Sequence, residues 1–353
     1  MAYKAVVVGA GGISGSWFPP LIEEGVEIAA VVDLRLEAAE RRIEEYGLKT
    51  KASADLEATL ADAKPEFVID LTVPEAHCAV TCAALRAGCH VIGEKPMASS
   101  MAEARRMVRT AEETGRLYMV SQSRRWEPKH DRLRRTIVSG AIGEVTTVNC
   151  DFYMGVHFGG FREEMPSPLL LDMAIHHFDL ARFLTGADPV AVYAKEFNPT
   201  GSWYSGAAAA SCIFEMTTPA PSAHALGSRP PTRASGIIFT YRGSWCSYGC
   251  HTSWNGDWRI VGDKGTLIYE RDQDPAGEAV AGEEGFDRPL KPIEIADSPM
   301  QKTYMHGALL EMLDFLRTGR QPQTESHDNI KSLAMVFGAL ESTREGRRIE
   351  VVP

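Results

Sequence analysis

Asp172 and His176 stand four residues apart in the stretch Leu169-Leu170-Leu171-Asp172-Met173-Ala174-Ile175-His176-His177-Phe178-Asp179-Leu180. Read as an α-helix, this spacing stacks the two side chains one turn apart on one face, with Cβ atoms about 5–6 Å apart. A carboxylate beside an imidazole is a common acid–base device, because it raises the basicity of the ring and fixes its orientation. The same stretch also reads as an ordinary amphipathic helix with a polar edge, since Leu169, Met173, Ile175, Phe178 and Leu180 supply apolar contacts. His177 falls about 100° further round and reads as structural. Asp179 reads as a helix-supporting acceptor.

A third reactive group lies upstream. His90-Val91-Ile92-Gly93 reads as a strand ending in Glu94-Lys95-Pro96. An ammonium at a strand end can stabilise an oxygen that becomes alkoxide-like as hydride leaves its carbon. Pro96 stops the strand and makes a rigid turn, which suits positioning. The plain alternative is a surface lysine after a strand.

The elements that must position these groups begin at the N-terminus. Lys4-Ala5-Val6-Val7-Val8 is a β-rich run that stops at Gly9-Ala10-Gly11-Gly12-Ile13-Ser14-Gly15, and a helical pattern follows through Ile22. Ile28 to Val32 reads as a second strand, ending at Asp33. Strand, glycine turn, helix, strand and acid is the order that a dinucleotide site requires. The glycines let the backbone approach a pyrophosphate at a helix N-terminus, and Asp33 can accept from a ribose 2′-hydroxyl. Ser14 stands where the last glycine of the fingerprint falls, and it is small enough for close helix packing. Asp33 favours NAD, because a carboxylate repels a 2′-phosphate; Arg35 nearby keeps NADP open.

The alternation continues. Helices are expected over Ala38–Tyr46, Asp55–Ala61, Glu75–Ala87 and Met101–Thr114, with strands at Phe67–Leu71, His90–Gly93 and Leu117–Val120. Repeated β-α-β units imply a parallel, doubly wound sheet that binds ligands at the carboxyl ends of its strands. Gly9, Asp33, Thr72 with Val73 and Pro74, Glu94 with Lys95, and Gln122 lie at those ends. His77, one turn into the helix after Pro74, joins the expected cofactor set.

With 353 residues, 44% of them hydrophobic and 24% charged, the chain has the size of two domains and the apolar content of a packed core. A net charge of −10 argues against nucleic acid and anionic membranes as partners. No apolar run reaches the length of a membrane span, and the run ending at Gly9 is shorter than a signal-peptide core. The seven cysteines form no metal or disulfide pattern, and they fit reduced, packed thiols in a cytoplasm. No metal is expected.

The N-terminal turn, Glu94-Lys95-Pro96, and Asp172 with His176 followed by Asp179 together resemble the glucose–fructose oxidoreductase / inositol dehydrogenase (Gfo/Idh/MocA) family. Ser123-Arg124-Arg125-Trp126-Glu127-Pro128 is similar to that family's arginine-rich segment after the last Rossmann strands. Asp328-Asn329-Ile330-Lys331-Ser332-Leu333-Ala334 is similar to its closing helix. The resemblance implies an α/β fold: an N-terminal Rossmann domain with a doubly wound parallel sheet (residues 1–123), then an α/β domain with a large, open, mostly antiparallel sheet (124–353). The C-terminal helix would pack back on the first domain. It further implies a catalytic trio of Lys95, Asp172 and His176 around a sugar or cyclic polyol, with Arg125 and Tyr153 as further substrate contacts. Two departures bear on the pocket. The family's glycine-rich run before the catalytic helix is here Ser167-Pro168-Leu169-Leu170, and its glycine two places before the histidine is Ala174.

Beyond Gly143 the sequence turns strand-rich. Strands are expected at 143–153, Val190–Phe197, Ala207–Glu215, Gly236–Arg242, Trp258–Gly262 and Thr266–Glu270. Trp203, Tyr204, Tyr241, Trp245, Tyr248, Trp254 and Trp258 can stack on sugar C–H faces, fill the core or line a subunit interface. An open sheet face of this kind favours a homodimer or homotetramer. Thr217–Ser235, with four prolines, separates two strand-like runs and reads either as a loop projecting to a neighbouring subunit or over a pocket, or as a mobile excursion. Lys129, Arg132, Arg134 and Arg135 make a basic helix face that reads as solvated.

The leading expectation is an NAD(P)-dependent dehydrogenase of a secondary carbohydrate hydroxyl. One alternative is a glycoside-cleaving enzyme that uses tightly bound NAD for transient sugar oxidation. The other is a non-catalytic sugar or nucleotide sensor, against which the retention of all three reactive residues argues.

Overall fold

A computed structural model of the chain describes residues 3–217 and 236–353. It falls into two compact units: Met1–Trp126 with Gln301–Leu333 and Pro353, and Glu127–Met300 with Ala334–Val352.

In the first unit, strands alternate with helices: β1 (Lys4–Val8), α1 (Phe18–Glu23), β2 (Glu27–Val32), α2 (Leu36–Glu45), β3 (Lys51–Ser53), α3 (Leu56–Ala63), β4 (Phe67–Asp70), α4 (Pro74–Arg86), β5 (His90–Gly93), α5 (Met101–Thr114) and β6 (Tyr118–Val120). All six strands pair in parallel, in the order β3-β2-β1-β4-β5-β6. β4 and β6 are buried throughout, and β1 is buried beyond its first residue. Helices on both faces of a parallel sheet demand this, and it is why the strands read as unbroken apolar runs. The strand order reverses between β1 and β4, and that reversal opens a crevice at the carboxyl ends.

Two local readings need correction. The helix expected to run unbroken from the glycine turn is a 3₁₀ turn, Gly12–Ser16, followed by α1, whose first turn carries Pro19 and Pro20. Prolines are tolerated there because first-turn amides have no intrahelical acceptor. β3 was not expected: three residues are too few to show a period.

The second unit begins with α6 (Pro128–Val138) and β7 (Val145–Tyr153). The short α7 (Phe161–Glu164) leads into a π-helical turn, Leu169–Ala174, continued by α8 (Ile175–Thr185). Then come β8 (Pro189–Phe197), β9 (Ala209–Met216), β10 (Ile238–Ser244), β11 (Asp257–Gly262), β12 (Gly265–Tyr269), β13 (Ala276–Val280) and β14 (Leu290–Pro292). α9 (Tyr304–Thr318) and α10 (Ser326–Glu345) follow. The residues of α10 through Leu333 belong to the first unit and the remainder to the second, where β15 (Ile349–Glu350) joins the sheet.

That sheet has nine strands in the order β14-β13-β12-β11-β7-β10-β9-β8-β15. All its pairs are antiparallel except β7 with β10. β8, β9 and β10 alternate buried with accessible residues, the mark of a sheet covered on one face. α8 covers that face: the Phe178 ring lies 4.8 Å from Phe214 and 5.3 Å from Tyr241. Tyr193, Phe197, Ile213 and Ile238 are exposed. β13, β14 and β15 escaped the sequence because they are short and carry little apolar alternation. Of the proline-bearing segment between β9 and β10, 218–235 lies outside the described residues.

The basic face of α6 is exposed at Arg134 and Arg135 and half-buried at Lys129 and Arg132. Arg135 pairs with Asp131 at 2.8 Å and Arg132 with Asp274 at 3.3 Å. Lys129 donates to the Asp272 carbonyl, and Arg134 lies over the Phe183 ring. Lys129, Arg132 and Arg134 tie α6 to neighbouring segments, whereas Arg135 pairs within the helix at i,i+4.

Candidate active site

The glycine turn is built by close backbone approach. Gly9 has φ +98°, and a Cβ on it would lie 2.6 Å from the Leu71 carbonyl oxygen. Only glycine lets the end of β1 lie this close to the chain leaving β4. Cβ atoms on Gly11 and Gly12 would meet nothing within 4 Å. Ser14 is buried, and its hydroxyl donates to the Gly11 carbonyl at 2.7 Å, closing the turn against the helix behind it. Asp33, at the end of β2, accepts from the Ala10 amide at 2.8 Å and from the Arg35 amide at 2.9 Å. It therefore pins the glycine turn to the end of β2. Open space at Gly11 and Gly12, beside half-buried Ile13, is a cradle that fits a dinucleotide. The sequence did not single out Arg42, which donates to the Gly11 carbonyl at 2.9 Å from the last turn of α2.

The loops after β4 and β5 are held together by His77. Its Nδ1 lies 2.9 Å from the Pro96 carbonyl and its Nε2 3.0 Å from the Thr72 carbonyl. With 1% exposure, this ring has no surface to offer a nucleotide, so the direct cofactor contact expected of His77 is corrected to a clamp on the loops. Val73, the N-cap of α4, is by contrast 61% exposed, an apolar surface beside that clamp. Thr72 is fixed by its hydroxyl bond to Asp70 at 2.6 Å.

Glu94 is buried. Its carboxylate accepts the Trp17 indole N–H at 2.9 Å and the Lys95 amide at 3.2 Å. Burial pushes its carboxyl above the usual carboxylate range, against the pull of the Trp17 bond and the Lys95 charge. Lys95 follows directly, half-buried, on a cis Lys95–Pro96 peptide. Gln122 is buried, and neither atom of its amide is hydrogen-bonded among the described residues. Arg125, expected at the substrate, is 5% exposed and bonds the Gln323 carbonyl at 2.7 Å and Asp328 at 2.8 Å. That geometry ties the end of the Rossmann segment to α10.

In the second unit, the segment Leu169–Thr185 is buried almost without exception. Its three residues with appreciable accessibility are Leu171, Asp172 and His176. The four-residue spacing was read as a plain α-helical turn. Asp172 in fact stands in the π turn and His176 in the first turn of α8. π turns occur mostly as single-turn insertions in α-helices, frequently at functional sites. Leu169, Leu170 and Ala174, the departures from the family's glycines, are all buried. His177 is wholly buried, 5.0 Å from the Phe152 ring and 5.6 Å from Tyr241.

Asp172 accepts from Arg162 Nε at 2.8 Å, a partner that sequence reasoning missed. No period links them; the only local signal is the Gly159-Gly160 pair before Phe161-Arg162. The aromatics divide. Tyr204, Tyr241, Trp245 and Trp258 are core, whereas Trp203, Tyr248 and Trp254 keep accessible surface. Trp203 stacks on His157 at 3.8 Å, and the His157 Nε2 lies 3.0 Å from the Tyr248 hydroxyl. Tyr153 is half-buried, and burial raises its phenol. Among the described residues, no cluster of three or more His, Cys, Asp or Glu could hold a metal, and no helix is long and apolar enough to cross a membrane.

Comparison with known proteins gives these parts a context. Residues 3–122 match the oxidoreductase family with an NAD-binding Rossmann fold, GFO_IDH_MocA, and 130–268 match the GFO/IDH/MocA C-terminal domain. The chain is similar to D-apiose dehydrogenase of Paraburkholderia graminis, 26% identical over 99% of this chain and 90% of that one. It is also similar to D-glucoside 3-dehydrogenase of Escherichia coli, 31% identical over 56% of this chain and 59% of that one. Among solved structures, an oxidoreductase from Agrobacterium radiobacter, in complex with NAD+, L-tartaric acid and magnesium, shares the fold. Its TM-score is 0.82 at 22% identity, covering 99% of each chain.

Proposed function

The chain belongs to the Gfo/Idh/MocA family of oxidoreductases, with an NAD-binding Rossmann domain, and from that premise we propose that it reversibly oxidises a secondary hydroxyl of a sugar, glycoside or cyclic polyol. One observation carries the reading most: on a helix otherwise buried, the polar groups left accessible are a carboxylate and an imidazole. Full-length similarity to a sugar dehydrogenase supports the substrate class.

Gly11, Gly12, Ile13 and Asp33 would hold NAD, with buried Ser14 bracing the turn behind them, and the bound NAD would supply the hydride acceptor. His176 takes the hydroxyl proton as general base, a task suited to an imidazole. Lys95 holds the reacting oxygen and stabilises its developing negative charge. Asp172 orients the substrate through a neighbouring hydroxyl or steadies His176. The exposed sheet face of Tyr193, Phe197, Ile213 and Ile238 is the subunit interface of a homodimer or homotetramer.

The test is a panel of sugars, inositols and glycosides screened for NADH and NADPH appearance, with Lys95→Ala and His176→Ala as controls. Turnover by the wild type and a loss of about 100-fold or more in each variant is expected from removal of an acid–base or oxyanion-stabilising group. Full turnover in either variant would overturn the assignment of that residue.

A further inference from the structure

Arg162 has more donors than Asp172 uses. It stands on α7, directly after Gly159 and Gly160, whose φ values of +64° and +63° turn the chain. The Phe158 and Phe161 rings lie 5.2 and 4.8 Å from its guanidinium carbon. Such faces attract the planar guanidinium. Its Nε donates to Asp172, and the side chain remains 36% exposed. Among the described residues, neither Nη atom makes a hydrogen bond to the protein. The carboxylates of its own helix turn elsewhere: Glu163 accepts the Gly159 amide at 2.8 Å and Glu164 the Ser205 hydroxyl at 3.5 Å.

A guanidinium presents two edges, and the end-on pair of Nη donors matches a planar, two-oxygen anion. We infer that Arg162 is the specificity residue of this site: its Nη edge receives the carboxylate of an acidic sugar, an aldonic or uronic acid, while its Nε holds Asp172. The inference rests on the oxidation reading above, because it places the sugar at Asp172 and His176. A singly charged carboxylate suits the position better than a phosphate monoester, which would set a second negative charge beside Asp172. A neutral sugar would leave the Nη edge to water.

The experiment compares matched pairs, D-glucose with D-glucuronate and D-galactose with D-galacturonate, together with D-gluconate and glucose 6-phosphate. NADH formation is followed in the wild type, Arg162→Lys and Arg162→Gln. The wild type should favour the acid of each pair in kcat/KM by about tenfold or more, the factor expected of a charge-assisted bidentate bond. In Arg162→Gln that ratio should collapse towards one, mainly through KM for the acid. Arg162→Lys, with charge but no fork, should retain part of it. Taking the ratio removes any common loss from a displaced Asp172. Equal efficiency on acid and neutral sugars in the wild type, a ratio unchanged in Arg162→Gln, or a preference for the phosphate would overturn the inference. If none of these compounds gives NADH, the wider panel above decides the oxidation reading separately. Tryptophan fluorescence titration of glucuronate, with NAD present, then decides the role of Arg162: binding lost in Arg162→Gln supports it, and binding unchanged refutes it.

Discussion

Trp17 donates its indole N–H to the Glu94 carboxylate at 2.9 Å, across 77 residues of sequence, and both side chains are buried. The bond satisfies a charge that burial disfavours, one residue before the lysine of the proposed site. Trp17→Phe keeps most of the ring and removes the donor. It should destabilise the protein by about 1–3 kcal/mol at neutral pH, the cost of leaving a buried acceptor unpaired. Urea denaturation measures this.

The sign of the accompanying pH dependence follows from the raised carboxyl of Glu94. Folding raises its pKa, so the folded state holds the proton more tightly than the unfolded one. The associated stability is complete below the ordinary glutamate value of 4.5 and is lost as pH climbs through the folded value. Glu94→Gln should flatten that part of the stability profile, and the penalty of Trp17→Phe should shrink as the carboxyl protonates. Denaturation midpoints that show the same slope in wild type and Glu94→Gln would contradict this.

The glycines of the turn should separate fold from binding. Gly9→Ala meets the Leu71 carbonyl at 2.6 Å in a left-handed backbone conformation, and strain of about 1–3 kcal/mol is expected before any clash is relieved. Gly11→Val enters open space, so its melting temperature should stay near wild type while NAD affinity falls about tenfold or more, equivalent to about 1.4 kcal/mol. Thermal melts and calorimetric titration of NAD distinguish the two variants.

The sheet face offers a test of assembly. Ile213 is half exposed, in register with Tyr193 on β8 and Thr240 on β10. The wild type should sediment well above its 38.6 kDa chain mass, and Ile213→Lys should move it towards the monomer with an unchanged circular dichroism spectrum. A wild type that sediments as a monomer would refute the interface.

Thiol chemistry should follow burial. Burial pushes Cys78 and Cys89 up to about 11 and Cys212 higher still. Cys250 is exposed and Cys246 partly so. A thiol reagent at mild alkaline pH should therefore modify Cys250 first and Cys246 next, and all seven cysteines only after denaturation. Early labelling of Cys78 would argue against the packing of α4, and of Cys89 against that of the turn between α4 and β5.

The fold was legible wherever a local rule governs it. Val6, Val7 and Val8 before Gly9, and Phe67 to Asp70 before Thr72, announce parallel strands because a sheet covered on both faces needs unbroken apolar runs. The short strands at Lys51, Leu290 and Ile349 were illegible, because three residues or fewer carry no period. The π turn at Asp172 escaped for a different reason: it is defined by its backbone hydrogen bonds, and no residue type in Leu169–Ala174 marks them.

From the sequence alone came the order of elements, the glycine turn with Asp33 after the second strand, and the reactive types at Lys95, Asp172 and His176. Each is written locally, in periods of two or 3.6 residues or in the backbone freedom of a glycine. The tertiary structure alone decided the partners: Trp17 on Glu94, His77 between Thr72 and Pro96, Arg42 on Gly11 and Arg162 on Asp172. Those pairings depend on strand order and loop course, which bring side chains from different elements within hydrogen-bonding distance, and no local period encodes them.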